Sequence, residues 1–220
     1  MSTSVGVMDQ TADPAVLFDA WMVEFRALIA EDAGLTWPPT STDLSEVPPV
    51  LMTLATVGPD GYPRTRNVMV SRTDAGQIFF HTDSHSEKVR HLESNPKVSL
   101  TVLAADRSKQ VTVVGDAVRS TPGEEAEAFA ARSRYLQLLA WLSDRDLAEK
   151  PAEERHREWA QFSAENPDLA SCPPETWAGF AVVPREYLFW TADSDGPSQR
   201  VHYVCAENSV NGWTTEVLPG

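Results

Sequence analysis

An arginine pair and the short segment that follows it carry the side chains best suited to binding an anion. Arg64 and Arg66 are two positions apart in "YPRTRNVMVSRT", so a strand would place both on one face. The segment "IFFHTDSHSEK" (residues 78–88) leads from an apolar run into a helical pattern that contains Ser86 and Lys88. A helix N-terminus offers free N–H groups and a partial positive charge. If Arg66 reaches the same point as Ser86 and Lys88, the group would suit a phosphate dianion.

Two purely structural interpretations compete with an anion site at these residues. Arg64 and Arg66 would have no ligand if they lay on a solvated strand edge. Ser84 and Glu87 have the spacing of a capping box, in which the serine serves the helix. The interpretations are compatible if Ser84 and Glu87 cap the helix while Ser86 and Lys88 face outward.

Metal binding and side-chain nucleophiles find little support in the sequence. His81 and His85 are four residues apart, but they straddle a strand end and a turn instead of lying on one helix. Cys172 and Cys205 form no zinc spacing. We find no G-x-S-x-G, Walker or G-x-G-x-x-G motif. We therefore predict no metal site.

Charge and hydropathy narrow the classes of partner. The 220 residues carry 18 basic and 32 acidic side chains, and this net charge of −14 disfavours nucleic acid and anionic membranes. Between residues 60 and 109, however, eight basic and six acidic residues give +2, so an anion has a local basic region. No apolar run is long enough to cross a membrane, and "MSTSVGVMDQTADP" lacks signal-peptide features. We expect a cytoplasmic protein.

The periodicity of the chain predicts an α+β fold that is mainly β. Short strand patterns rich in Val, Thr and Phe, separated by Gly and Asp turns, indicate an antiparallel barrel of about six strands with helices outside. We expect a flexible N-terminus at 1–12 and a single domain at 13–220. Within the domain we predict an N-terminal helix at 13–34, the barrel at 48–121, a helical insertion at 122–166 and C-terminal strands at 176–218.

The order of several segments resembles a known family. The series "RNVMV … IFFHTDSHSEK … KQVTVVG … ARSRYLQLLAWLS … EYLFW … QRVHY" is similar to that of pyridoxamine 5′-phosphate oxidase and its relatives, the FMN-binding split-barrel proteins. The match runs from "DPAVLFDAW" to "GWTTEVLP", which is nearly the whole chain. The resemblance implies a six-stranded antiparallel split barrel with flanking helices. It also implies FMN as the cofactor, bound at a homodimer interface.

The resemblance assigns cofactor contacts to individual positions. It implies that Arg66, Ser86 and Lys88 hold the FMN phosphate, while Gln110 donates to the flavin ring. The other positions that it places around the flavin are Asn67, Val68, Met69, His81, Thr82, Trp190 and Arg200. His81 and Thr82 replace an aromatic–Thr pair of the family.

Departures from the family pattern concentrate on the substrate side. Ser71 stands where the family has Lys, although Arg72 follows at once. Arg132 is kept, and we expect Ser71, Arg72 and Arg132 to line the substrate pocket. Other family contacts to substrate are lost at Ala128, Leu136, Gly196 and Ser198. On the cofactor side, Glu87 replaces an Arg, and an acid beside a phosphate should weaken FMN binding.

Three functions follow from this pattern. The first is an FMN-dependent oxidoreductase that oxidises a small ring compound, passes electrons to O₂ and has a diverged substrate pocket. The second is a genuine pyridoxine/pyridoxamine 5′-phosphate oxidase with a rearranged pocket, in which Arg72 replaces the missing Lys. The third is a non-catalytic split-barrel protein that binds flavin or haem.

Overall fold

The computed structural model describes residues 13–38, 48–74, 76–206 and 212–220. The flexible segment predicted at 1–12 lies outside these residues. Helix α1 (Pro14–Asp32) begins after Asp13, whose carboxylate accepts a hydrogen bond from the backbone N–H of Ala15 at 2.8 Å. The Asp-Pro sequence therefore starts the helix as the sequence predicts.

The described strands form one antiparallel sheet. They are β1 Leu51–Val57, β2 Pro63–Met69, β3 Arg72–Asp74, β4 Gln77–Asp83, β5 Lys97–Leu103, β6 Lys109–Arg119, β7 Trp177–Thr191, β8 Gln199–Cys205 and β9 Trp213–Pro219. The order is β2-β1-β5-β6-β7-β4-β3, with β8 pairing β7 and β9 pairing β8. The remaining helices are α2 Glu87–Ser94, α3 Pro122–Ala130, α4 Arg134–Leu142, α5 Arg145–Ala148 and α6 Ala152–Glu165.

The long strand β7 explains how the sheet divides. Along one edge β7 pairs with β6, but on its other edge it pairs first with β4 and then with β8. The β6–β7 register shifts between Val114 and Gly115, where the change of partner falls. A Cβ on Gly115 would lie 2.4 Å from the carbonyl oxygen of Val183, so only glycine fits this bulge. The curled antiparallel sheet with flanking helices confirms the predicted α+β split-barrel class, although its described strands number nine and not six.

The sheet buries its inner face against α1. Phe18, Trp21 and Phe25 of the helix pack with inner-face residues such as Leu54 and Phe189. Each such side chain contributes about 1.5–3 kcal/mol by leaving water. A second, smaller core lies on the outer face, where Trp177 at the start of β7 packs with residues of α3 and α4; it consists of Phe129, Leu138, Leu169 and Trp177. Among the described residues, no helix is both long and apolar enough to span a bilayer.

Candidate functional site

The end of β4 and the start of α2 bring three polar side chains together with Arg66. Lys88 Nζ donates a hydrogen bond to Thr82 Oγ1 at 2.8 Å, and Ser86 Oγ lies 3.5 Å from the same atom. The positive charge of Arg66 acts on Lys88, so the two cations lie near each other. We call Arg66, Thr82, Ser86 and Lys88 the cationic cluster.

Arg66 is held in place from the inner face of the sheet. Its Nη1 donates to Thr56 Oγ1 at 2.7 Å and to the carbonyl oxygen of Leu54 at 3.3 Å. Thr56 Oγ1 is also 2.9 Å from Nδ1 of the buried His91. Thr56 accepts from Arg66, so its own hydroxyl hydrogen can be donated to the His91 ring. The guanidinium is thus oriented by uncharged partners and keeps its positive charge.

The two cations of the cluster form no ion pair among the described residues, and Glu87 and Asp83 act on Arg66 and Lys88 only from a distance. Burial lowers the pKa of Lys88, and the nearby charge of Arg66 lowers it further. Burial likewise lowers the pKa of Arg66. Within the described ranges, neither side chain has a carboxylate within ion-pair distance. A bound anion would relieve both the repulsion and the desolvation, which is the environment a phosphate needs.

The capping box that the sequence allows between Ser84 and Glu87 does not form. Helix α2 begins at Glu87, and its N-cap is Ser86, whose hydroxyl makes no capping hydrogen bond. The tight turn before the helix is closed by Asp83, whose carboxylate accepts from the backbone N–H of His85 at 2.6 Å. The Ser86 hydroxyl is therefore free of the helix and can bind a ligand at its N-terminus.

Glu87 turns away from Lys88. Its Oε1 lies 3.6 Å from Arg64 Nε and 3.7 Å from His91 Nε2. Arg64 is itself held by Asp60, with both guanidinium–carboxylate contacts at 2.8 Å. Arg64 is thus engaged in ion pairs, whereas Arg66, two residues along, belongs to the cationic cluster.

A second polar group lies on the opposite face of β4. His81 precedes Thr82, and adjacent strand residues point to opposite faces. His81 Nδ1 is 2.9 Å from Ser71 Oγ, and its ring stacks on Trp177 with centroids 5.1 Å apart. The Arg132 guanidinium lies 4.5 Å from the centre of the Trp177 ring. We call Ser71, His81, Arg132 and Trp177 the histidine–tryptophan cluster.

Burial sets the protonation of His81. Only 8% of its surface is exposed, and this burial, followed by the charges of Arg132 and Arg72, lowers its pKa to about 4. The ring is therefore neutral near pH 7. Gly179 lies directly across from His81 on β7, and a Cβ there would come within 2.9 Å of the imidazole. The absence of a side chain at 179 lets the ring lie flat against the strand.

Arg72 and Arg132 differ in their partners. Arg72 pairs with Asp74 at 2.8 Å and with Glu124 at 3.4 Å, and it packs on the Phe79 ring. Arg132 has no ion pair within the described part of the chain, and burial lowers its pKa to about 10, so it stays charged. Of the two arginines predicted on the substrate side, only Arg132 has a charge that is not already engaged in an ion pair among the described residues.

The sheet register groups the other predicted flavin contacts on the outer face. Gln110 lies directly across from Trp190, and Trp190 directly across from Arg200. Asn67 and Met69 share this outer face, because they alternate with Arg66 and Val68, which point to the inner face. Val68 packs against the core. The predicted flavin residues are thus divided between the two faces of the sheet.

Three residues of these groups are not predicted from the sequence. Trp177 opens a strand pattern 96 positions after His81, so only the β4–β7 register brings the two rings together. Thr56 and His91 orient Arg66 through a hydrogen bond between a strand and a helix 35 residues apart. No local pattern marks either contact. Among the described residues, no group of three or more potential ligands is placed to hold a metal ion.

Comparison with known sequences gives a consistent family. The model of the family described as pyridoxamine 5′-phosphate oxidase matches residues 47–169. A pyridoxine/pyridoxamine 5′-phosphate oxidase of Chromobacterium violaceum is 35% identical over 177 residues, which cover 79% of this chain and 81% of that protein. The protein of the same name from Acidothermus cellulolyticus is 34% identical, over 96% of this chain and 87% of its own.

Comparison with solved structures supports the fold. PhzG from Burkholderia lata 383, in complex with tetrahydrophenazine-1-carboxylic acid, aligns with a TM-score of 0.77 at 23% identity and covers 100% of both chains. A pyridoxamine 5′-phosphate oxidase-related, FMN-binding protein from Nostoc punctiforme aligns with a TM-score of 0.59 at 17% identity, covering 96% of this chain and 99% of its own.

Proposed function

This chain belongs to the pyridoxamine 5′-phosphate oxidase family, and we propose that it is an FMN-dependent oxidoreductase whose cationic cluster binds the FMN phosphate. The observation that carries the proposal is the pair of neighbouring cations, Arg66 and Lys88, which form no ion pair among the described residues and lie at the N-terminus of α2. A phosphate monoester carries about −1.5 to −2 charges near pH 7 and has three acceptor oxygens. Two cations, the Ser86 hydroxyl and the helix N-terminus match both the charge and the acceptors.

The outer face of the sheet supports the proposed position of the flavin ring and of a second subunit. Exposed apolar residues directly neighbour the predicted flavin contacts, since Leu103 lies across from Gln110 and Leu51 across from Met69. Both leucines are 52% exposed. Large apolar side chains grouped on a sheet face favour burial by a partner. We propose that a second copy of the chain covers this face and that FMN lies between the copies.

The chain's own residues would position the reactants, while bound FMN supplies hydride acceptance from a C–N or C–C bond. Gln110 and Arg200 would donate hydrogen bonds to the flavin ring, and such donors favour its reduced, partly anionic form. Trp190 would pack beside the ring and exclude water. We propose a small ring compound as the substrate and O₂ as the electron acceptor.

A second candidate is a genuine pyridoxine/pyridoxamine 5′-phosphate oxidase, supported by the names of the relatives. It requires a cation to replace the family Lys at Ser71. Arg72 is poorly suited to this role, because Asp74 and Glu124 already compensate its charge. We therefore place this candidate behind an oxidoreductase with another substrate.

The visible absorption of the purified protein tests the proposal most directly. We expect a yellow protein, or one that becomes yellow with added FMN, with the absorption band of oxidised flavin. Under anaerobic conditions a substrate should bleach this band, and air should restore it. A colourless protein that does not bind added FMN would exclude both oxidoreductase candidates. Bleaching by pyridoxine 5′-phosphate would favour the second candidate over the first.

A further inference from the structure

The charge on the substrate side is too small for a phosphate ester. Arg72 and Arg132 both act on His81, so they lie in one neighbourhood. Two carboxylates hold Arg72, while Arg132 is unpaired within the described residues. Glu124 also acts on His81 and adds a negative charge nearby. The region around His81 therefore offers a ligand the compensation of one positive charge.

Arg132 packs its guanidinium against an aromatic ring that is itself held in place. The central guanidinium carbon lies 4.5 Å from the Trp177 ring centre. The indole cannot turn freely, because its Nε1 donates to the carbonyl oxygen of Glu125 at 2.8 Å and its ring stacks on His81. A guanidinium fork matches the two oxygens of a carboxylate.

A phosphate would find few further donors at this site. Ala128 and Leu136, the positions where the family resemblance implies polar substrate contacts, have no polar side chain. The Ser71 hydroxyl is bonded to His81 Nδ1, and the neutral imidazole adds no charge. A dianion would thus be half-compensated and would face Glu124, whereas a carboxylate would be fully compensated by one arginine.

We infer that Arg132 binds the carboxylate of the substrate, and that the substrate class is a small cyclic monocarboxylic acid and not a phosphate ester. This inference rests on the proposed function for its place in a reaction. The ligand class itself depends only on the histidine–tryptophan cluster. The inference specifies the ligand class of the diverged pocket, which membership of the family alone does not specify.

Calorimetric titration of the protein as purified tests the inference with three probes that share one ring system: 1-naphthoate, 1-naphthyl phosphate and 1-naphthamide. We expect 1-naphthoate to bind at least about tenfold more tightly than either of the others, because a paired charged hydrogen bond contributes about 1.5–3 kcal/mol. Equal or tighter binding of the phosphate, or no binding of the carboxylate, would overturn the inference.

Two conservative variants locate the effect. Arg132→Lys keeps the charge but loses the fork, and it should weaken 1-naphthoate binding about tenfold. The matched control, Arg64→Lys, should leave that affinity within about twofold, because Arg64 is held by Asp60 on the opposite face of the sheet. If the Arg132→Lys protein folds normally and binds 1-naphthoate as the wild type does, the assignment to Arg132 is wrong.

A third variant adds the missing charge. Ser71→Lys places a second cation beside His81 and should raise the affinity for 1-naphthyl phosphate about tenfold relative to 1-naphthoate. An unchanged preference would contradict the charge argument. Flavin content is read separately from the visible absorption of each sample. Arg132-dependent binding in a protein that stays colourless with added FMN would refute the FMN proposal alone, whereas a yellow protein without carboxylate binding would refute this inference alone.

Discussion

The cationic cluster and the histidine–tryptophan cluster start from adjacent residues of one strand and differ in how their charges are compensated. Thr82 faces inward with Arg66 and Lys88, two cations without an acid partner among the described residues. His81 faces outward, near one arginine held by two carboxylates and one that is unpaired. The first group suits a dianion and the second a monoanion. The strand thus separates the two proposed anion sites, which differ in charge.

The two groups also differ in what holds them. Uncharged partners orient the cations of the cationic cluster, so its loss would cost mainly ligand affinity. The histidine–tryptophan cluster is part of the outer core, where Trp177 packs against Phe129. We therefore expect changes there to alter stability, and changes in the cationic cluster to alter FMN binding.

The largest expected effect is a loss of stability from Trp177→Ala. The side chain is 7% exposed and contacts both His81 and Phe129, so its removal should lower the free energy of unfolding by about 3–5 kcal/mol. Chemical denaturation measures this. The half-exposed Trp141 is a matched control, and Trp141→Ala should cost less than about 1.5 kcal/mol. Folded Trp177→Ala protein should keep its FMN affinity, and a tenfold loss would contradict the separation of the two groups.

The next effect is a pH dependence of stability that depends on His81. Burial lowers its folded pKa from an ordinary value of 6.5 to about 4, so between these values the unfolded chain binds a proton that the folded chain does not. Stability is therefore retained above pH 6.5 and lost as the pH falls towards 4, by about 3 kcal/mol in total.

His81→Gln isolates this effect, because glutamine can bond to Ser71 but does not titrate in this range. Denaturation curves of both proteins at pH 7 and near pH 4 give the change in the free energy of unfolding of each. Subtracting one change from the other cancels the contribution of the other titrating groups. The wild type should lose about 3 kcal/mol more than the variant over this range. Equal losses would mean that His81 is not buried in its neutral form.

The two clusters also differ in how far the sequence predicts them. Ser86, Lys88 and Thr82 are near neighbours in the chain, so a strand that ends in a helix start brings them together without long-range information. Asp13 and Thr121 likewise start α1 and α3 by local capping chemistry, and Thr121 forms a capping box with Glu124.

The histidine–tryptophan cluster needs contacts that local patterns do not specify. Ser71, His81, Arg132 and Trp177 come from a strand connection, two strands and the turn before α4, and the β4–β7 register alone aligns the two rings. The absence of the Ser84–Glu87 capping box has a local cause. Two serines precede the helix, and the N-cap falls on Ser86 and not on Ser84, since Asp83 already bonds to the backbone N–H of His85.

Removing a cation from the cationic cluster should have an intermediate effect, on FMN affinity. Arg66→Ala and Lys88→Ala should each weaken FMN binding at least about tenfold, because a charged hydrogen bond contributes about 1.5–3 kcal/mol. Quenching of flavin fluorescence on titration measures the affinity. Arg64→Ala is the matched control, on the same strand face but held by Asp60, and should change it less than about threefold. Unchanged affinity in both cluster variants would refute the phosphate assignment.

The smallest effect concerns Glu87, where the family has an arginine. Its carboxylate faces Arg64 and His91 at 3.6 and 3.7 Å and is 55% exposed, so its repulsion of a bound phosphate is weakened by distance and solvent. Glu87→Gln should therefore raise FMN affinity by about threefold or less at low salt, and salt near 1 M should abolish the gain. A tenfold gain that persists in high salt would mean that Glu87 meets the phosphate directly. The cationic cluster would then be partly compensated, and its contrast with the histidine–tryptophan cluster would disappear.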